Sequence, residues 1–294
     1  MNNEEMIAHL EQTGDFKVLR RVIPRAYINK PDGSETRRGL YVDVETTGLS
    51  TMNDEIIELA MVPFDYGLDG RIFEIHQPFQ SFNEPEAPIE EEITKITGID
   101  QSMVQGHKID IDQVEQFISD ADIIIAHNAS FDRRFLERLS PAFTMKPWAC
   151  SATQIDWREE GFEGSRLGYL VAMAGFFYDR HRALNDCYAA LELLAQKLPK
   201  SGKTGFETLL KSARGTSHRI WAINAPFDLK DNLKRRGYRW NNGENGTPRS
   251  WYIDVSAEKK DVEIRYLQQE IYGWEAPIHT TDFDAYDRFS VREG

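Results

Sequence analysis

Hydrophobic and polar positions along the chain fall into short runs whose period changes repeatedly. Asn3 to Gln12 has the spacing of a short helix, closed by Gly14. Phe16, Val18 and Val22 predict an extended segment running to Pro24, and NKPDGSETRRG (29–39) is turn and loop chemistry. From Gly39 the chain alternates strands with helices. Strand-like runs are LYVDVE (40–45), EIIELAMVPFDYG (55–67) and RIFEIHQPF (71–79), the first two rich in Val and Ile and without helical period. A polar, Pro-rich connection leads to an amphipathic stretch (Ile111, Val114, Phe117, Ile118) and then a buried strand, DIIIAHN (122–128). A helix from about Phe131 to Leu139 stops at Pro141. WACSATQIDW (148–157) reads as a strand and RLGYLVAMAGFF (166–177) as an apolar helix. The last helix of this part carries Cys187, Ala190, Leu191, Leu194 and Leu198 on one continuous core stripe. Three successive strands followed by alternating helix and strand predict an α/β fold, a mixed sheet flanked by helices.

The stretch PKSGKTG (199–205) is the best linker candidate, and composition changes after it. Between Ser201 and Val255 stand ten basic and five acidic residues, although the whole chain has 35 basic and 48 acidic, a net charge of −13. A small α+β module is predicted there: strand RIWAINAP (219–226), helix DLKDNLKRRG (228–237), an NNGENG turn (241–246), strand SWYIDV (250–255), and a helix from about Glu258 to Tyr272. The expected organisation is an N-terminal extension (1–38), a main domain (39–198), the linker (199–205), the basic module (206–273) and a tail (274–294).

Composition excludes some function classes. With 40% hydrophobic and 11% aromatic residues, the chain can fold rather than remain disordered. Its longest apolar stretch, Tyr169 to Tyr178, is about half of the roughly 20 residues a spanning helix needs, so no membrane partner is expected. The N-terminus MNNEEMIAHLEQ lacks the basic start and apolar middle of a signal peptide. Cys150 and Cys187 form no disulfide framework and no metal-like pair. These features together predict a cytoplasmic, reduced protein. The net negative charge argues against holding nucleic acid by bulk electrostatics, though not against meeting phosphate through bound metal ions or a local basic patch.

Candidate chemistry lies in three places. In LYVDVETTG, Asp43 and Glu45 are two apart on a strand, so both project from one face while Leu40, Val42 and Val44 point to the other. Side by side and unpaired, their charges would repel until one carboxyl stayed protonated. A divalent cation resolves the conflict, and oxygen donors suit magnesium or manganese. A solvent-facing edge strand would explain the pair equally well, except that the chain turns sharply at TTG. Next, the strand DIIIAHN ends at His127–Asn128 with Asp132 in the first turn of the following helix, at the carboxyl end of a strand where open α/β sheets place their sites. Alone, Asp132 need only complement the helix dipole. Last, HRALND puts His181 five residues before Asp186. If both were helical they would be roughly 140° apart, so His181 is expected on the loop before the helix. A dinucleotide-binding oxidoreductase is excluded, because TTGLS after the first strand is not the glycine-rich phosphate loop such folds need.

Taken together, DVETTG, HNASFD and HRALND, in that order, resemble the three blocks of the DEDDh family of 3′–5′ exonucleases. The likeness covers about Gly39 to Lys197, and the stretch IEEEITKITGI also looks like that family's segment between its first two blocks. The resemblance implies a ribonuclease H-like fold and two divalent cations, Mg2+ or Mn2+, held by Asp43, Glu45, Asp132 and Asp186. It implies His181 as general base; the alternative subclass has a tyrosine four residues before its last acid, where Arg182 stands here. Thr46, Thr47 and Leu49 would line the terminal-nucleotide pocket, and His127, Asn128 and Phe131 would border the same cleft. The implied substrate is nucleic acid with a free 3′ end, single-stranded DNA first and RNA second, with a polymerase or repair partner in a proofreading setting. The chemistry agrees: hydrolysis needs an activated water, neutralised phosphate charge and a stabilised leaving oxygen, which two metals about 3.5–4 Å apart and a histidine provide. A non-catalytic end-binder or a polymerase-docking subunit on the same fold is the alternative.

The basic module lies outside this resemblance. Lys234, Arg235, Arg236 and Arg239 are interleaved with Tyr238, Trp240, Trp251 and Tyr252, a composition suited to gripping phosphates and stacking on bases. The competing expectation is a small domain whose Trp residues form its core and whose basic helix face is merely solvated.

Overall fold

The computed structural model describes residues 2–243 and 246–290, so Glu244 and Asn245 of the expected NNGENG turn lie outside the described residues. The chain divides into two compact units, one ending at Leu210 and the other beginning at Lys211. Among the described residues no helix is long and apolar enough to cross a membrane.

In the first unit the chain runs α1 (Asn3–Gln12), β1 (Arg20–Arg21), β2 (Thr36–Thr46), β3 (Ile56–Gly67), β4 (Ile72–Ile75), β5 (Phe79–Phe82), α2 (Glu91–Thr97), α3 (Gln101–Val104), α4 (Ile111–Ser119), β6 (Ile123–Ala126), α5 (Ala129–Leu139), β7 (Trp148–Cys150), α6 (Leu167–Met173), β8 (Phe176–Phe177) and α7 (Ala183–Ala195). The main sheet has the order β4-β3-β2-β6-β7, with β5 also paired to β3. β2 runs antiparallel to β3 and parallel to β6, and β6 parallel to β7, so the sheet is mixed as expected. α7 packs on β2 and β3 and buries Cys187, Ala190, Leu191 and Leu194. Covered on both faces, β3 is buried almost throughout, which is why its sequence is a continuous apolar run rather than an alternation. Gly39 is required where β2 pairs with β3 opposite Phe64, because a Cβ there would meet the Phe64 ring at 2.3 Å.

Several expected elements differ. RIFEIHQPF is broken at 76–78 into β4 and β5, whose residues pair with different parts of β3 (Ile75 with Phe64, Phe79 with Met61), and Pro78 has no N–H to continue a ladder. WACSATQIDW is strand only over Trp148–Cys150. Beyond it the Gln154 side chain takes the Cys150 N–H (2.8 Å) and the chain turns so that the Trp157 indole donates to the Ser151 carbonyl (2.9 Å). RLGYLVAMAGFF stops being helical at Met173; Gly175 adopts φ 92°, and Phe176–Phe177 pairs in parallel with β1. The expected linker is a tight turn, with Leu198 N–H donating to the Lys203 carbonyl (2.7 Å) and Gly205 N–H to that of Gln196 (3.0 Å). Phe206 then packs edge-on against Phe64 and Tyr66 within the first unit.

Across the division runs α8 (Gly205–Arg214), and the second unit continues with β9 (Ser217–Ala222), α9 (Lys230–Arg236), β10 (Arg239–Trp240), β11 (Trp251–Ser256), α10 (Ala257–Tyr266) and β12 (His279–Phe283). Its antiparallel sheet has the order β10-β11-β9-β12. α10 extends through a π-helical segment, Leu267–Tyr272, to a left-handed cap at Gly273. Ile220, Ala222, Leu233, Tyr238, Leu267 and Ile271 form the core between sheet and helices. The region expected as a tail therefore contains a strand: β12 pairs with β9 from His279↔Trp221 to Phe283↔Ser217.

Candidate active site

The end of β2 sets the site. Asp43 and Glu45 emerge on one face while Leu40, Val42 and Val44 are buried, as the alternation requires. Asp186, in the first turn of α7, completes a cluster in which Asp43, Glu45 and Asp186 each offer a carboxylate oxygen, all within 4.8 Å of one another. Asp132 is buried beside them, and its Oδ1 accepts the Val44 N–H at 3.2 Å, between the two strand acids. Burial, and then the neighbouring carboxylates, push the Asp43 pKa well up. Glu45 is pushed up to about 8 by burial and by Asp186, and Asp132 to about 8 by burial. Such a set of hard oxygen donors, crowded and short of positive charge, fits a divalent cation.

These shifts fix a pH dependence. Glu45 and Asp132 bind protons more tightly folded than unfolded, where carboxyls titrate near 4. Their contribution to stability is complete below about pH 4 and is lost as pH rises through about 8. The chelated protein should therefore melt at lower temperature at pH 8 than at pH 5.5 or so, and Mg2+ or Mn2+ should restore more at the higher pH. Scanning calorimetry across pH, with and without metal, checks this.

His181 lies on the turn just before α7, exposed, with φ 62° in the left-handed region, and its ring makes no hydrogen bond among the described residues. Thr46 Oγ1 donates to the Gly48 carbonyl (2.6 Å), Thr47 Oγ1 to Asp54 Oδ1 (3.1 Å), and Leu49 projects from the loop, 86% exposed. Asn128 has φ 74° before α5, and the Phe131 ring lies 5.0 Å from Phe135. His127 is held on both sides. Its Nε2 donates to the Ser165 carbonyl (2.7 Å), so Nδ1 accepts from Ser151 Oγ (2.9 Å), which in turn accepts from the Tyr41 hydroxyl (2.9 Å). Burial lowers its pKa to about 4, so the ring is neutral at pH 7 and braces the site without a free nitrogen.

Three participants were not anticipated from sequence. The Tyr178 hydroxyl donates to Asp186 Oδ1 at 2.7 Å. Asp54 takes the Ser50 N–H (2.7 Å) and packs so closely on the turn that a Cβ at Gly48 would meet its carboxylate at 2.6 Å. Glu58, fully buried on β3 and directly opposite Glu45, accepts from Gln80 Nε2 (2.7 Å), Arg182 Nη2 (3.1 Å) and the Ala183 N–H (3.0 Å). Arg182 thus ties the turn carrying His181 to β3, while its own N–H donates to Asp186 Oδ2 (3.2 Å). Arg182→Ala leaves a buried carboxylate without its counter-charge and should cost about 3 kcal/mol in urea unfolding. Most of that loss should return in Arg182→Met with Glu58→Gln. A second convergence, Asp65, Glu74 and His76, is a weaker cation site, because Arg38 Nε already holds Asp65 at 2.7 Å.

The model of the exonuclease family RNase_T matches residues 40–194, more than half of the chain. The chain belongs to that family. Its three motif blocks place it with the DEDDh 3′–5′ exonucleases, and the mixed sheet flanked by helices agrees with their ribonuclease H-like fold. The DNA polymerase III PolC-type of Bacillus subtilis is 33% identical over 195 residues, covering 63% of this chain. This exonuclease-family chain spans only about an eighth of such relatives, 13% in that case. Among solved structures, exonuclease X in complex with 5′-overhanging duplex DNA is 28% identical, covering 59% of this chain and 99% of its own, with a TM-score of 0.44. Exonuclease I, 14% identical, covers 83% of this chain and 62% of its own with a TM-score of 0.52, a likeness of fold.

The family match ends before the second unit, where the basic residues fare differently. Arg236 Nε is engaged by Glu263 at 2.8 Å and its guanidinium lies 3.7 Å from the Tyr266 ring centroid. Arg235 turns back on Asn232 of its own helix. Trp251 packs partly against the core, and Arg239 and Trp240 are exposed on the edge strand β10.

Proposed function

We propose that the chain is a metal-dependent 3′–5′ exonuclease that releases nucleoside 5′-monophosphates, with single-stranded DNA as its first substrate and RNA as its second. The observation that carries this reading is the convergence of Asp43, Glu45 and Asp186 at the end of β2 in a chain of the exonuclease family. The name of the relatives, DNA polymerase III, supports DNA and a polymerase or repair complex as partner. Asp43, Glu45 and Asp186, with Asp132 behind them, would hold two cations, Mg2+ or Mn2+, which would supply positive charge to the scissile phosphate and to the leaving 3′-oxygen.

The chain's own residues do the rest. His181, exposed on the turn before α7 and beside Asp186, accepts a proton from the attacking water. Water oxygen bonds to phosphorus as the bond from phosphorus to the 3′-oxygen breaks; the phosphate stays on the 5′-carbon of the released nucleotide, and the 3′-oxygen stays on the shortened strand and takes a proton from solvent to become its new 3′-hydroxyl. Tyr178 and the Arg182 N–H fix the orientation of Asp186 through hydrogen bonds of 2.7 and 3.2 Å. The Thr46–Leu49 turn, braced by Asp54, offers an apolar tip to the terminal base, and Asn128 and Phe131 border the opposite side.

A time course on 5′-labelled single-stranded DNA and RNA of matched sequence, with Mg2+, Mn2+ or chelator, tests the reading. A metal-dependent ladder shortening from the 3′ end is expected, faster on DNA. Binding without cleavage of either strand would instead establish an end-binding or docking protein.

A further inference from the structure

On the second unit, α9 turns Leu233 into the core and presents Lys230 and Lys234 one turn apart beside it. Each lysine lies against an aromatic ring instead of a carboxylate. Lys230 Nζ is 3.9 Å from the centroid of Phe227, and Lys234 Nζ is 5.8 Å from that of Trp251. Trp251 sits directly across the ladder from Trp240, their centroids 5.5 Å apart, so both rings share the face that α9 covers. Phe227 is 75% exposed and Trp240 47%. Among the described residues neither lysine has a carboxylate partner, whereas Arg236 is engaged by Glu263 and Arg235 by Asn232. The surface therefore runs ring, cation, cation, ring, ring.

A ligand for such a strip needs planar apolar faces and negative charges repeating at the spacing of one helical turn. An unpaired nucleic-acid strand has both, whereas a duplex hides its base faces and an acidic peptide has no use for the rings. We propose that Phe227, Lys230, Lys234, Trp251 and Trp240 form a binding strip for single-stranded nucleic acid, with rings stacked on bases and ammonium groups on phosphates. The inference deepens the nuclease reading and rests on it for the choice of nucleic acid.

The test is fluorescence anisotropy of the full chain with labelled oligothymidylate or oligouridylate in chelator, so that binding is read without turnover. Lys230→Ala with Lys234→Ala should weaken binding roughly tenfold near 0.1 M salt and flatten the slope of log K against log salt by about 1.4, some 0.7 per phosphate. Trp240→Ala should weaken binding roughly tenfold with the slope kept, and Trp240→Phe should recover most of it. Arg235→Ala should leave both unchanged. Unaltered affinity and slope in a folded Lys230→Ala, Lys234→Ala, Trp240→Ala protein would overturn the proposal. So would a loss from Arg235→Ala equal to that from Lys234→Ala, which means diffuse charge, or the same variant dependence for polyglutamate. Absence of metal-dependent hydrolysis by the unaltered chain, with strip-dependent binding intact, would overturn the nuclease reading alone.

Discussion

Asp43→Ala is expected to abolish metal-dependent hydrolysis while leaving the chelated protein at least as stable as the unaltered chain at pH 8. Both halves follow from one arrangement. Asp43 is crowded by Asp132, Asp186, Glu45 and Glu58, and burial together with these charges raises its pKa. Without a cation, removing one acid relieves repulsion among the others. With one, the unaltered chain gains roughly 2.7 kcal/mol at metal a hundredfold above its dissociation constant. That corresponds to about 5–10 °C in melting temperature for a protein of this size. Calorimetric melting of both proteins against Mg2+ and Mn2+ reads the difference, with Asp43→Asn as an isosteric companion. A metal-induced shift of normal size in Asp43→Ala would remove Asp43 from the ligand set.

His181→Ala should lose about 10²- to 10⁴-fold in kcat, the range of general acid–base catalysis, and keep the metal-induced rise in melting temperature. The two variants therefore separate cleanly: one loses metal and turnover together, the other turnover alone. Because His181 occupies a left-handed backbone conformation, alanine keeps a Cβ, and with it the backbone strain, at that position. His181→Gly accepts that conformation without a Cβ and should be just as inactive, which assigns the loss to the missing imidazole. Near-wild-type kcat at pH 7 in His181→Gly would sink the assignment of His181 as base.

Much of the site was legible in the amino-acid sequence, because its signals are local. Two acids at i and i+2 on a strand share a face whatever the rest of the fold does, so DVE placed Asp43 and Glu45 together. Asp132 and Asp186 each fall in the first turn of a helix whose apolar stripe is readable, and five-residue spacing was enough to keep His181 off that helix. The α/β class followed from the same local periods. Other features depended on which segments meet. Glu58 sits in an apolar run, EIIELA, and nothing nearby in sequence indicates that Arg182, more than a hundred positions away, supplies its counter-charge. Tyr178 reaches Asp186 only because the β8 turn returns over the start of α7. The residues after Trp274 carry weak strand signals of their own, and only the free edge of β9 makes β12 a strand. The basic run of α9 reads as one patch, yet Glu263 engages Arg236, while Lys230 and Lys234 lie against Phe227 and Trp251 with no carboxylate partner among the described residues. The sequence by itself determined which carboxylates share a strand face or open a helix, because strand alternation and helix period act between near neighbours. Only the tertiary structure decided which charges are paired, braced or available, because ladder pairing and ion-pair formation join residues that are distant along the chain.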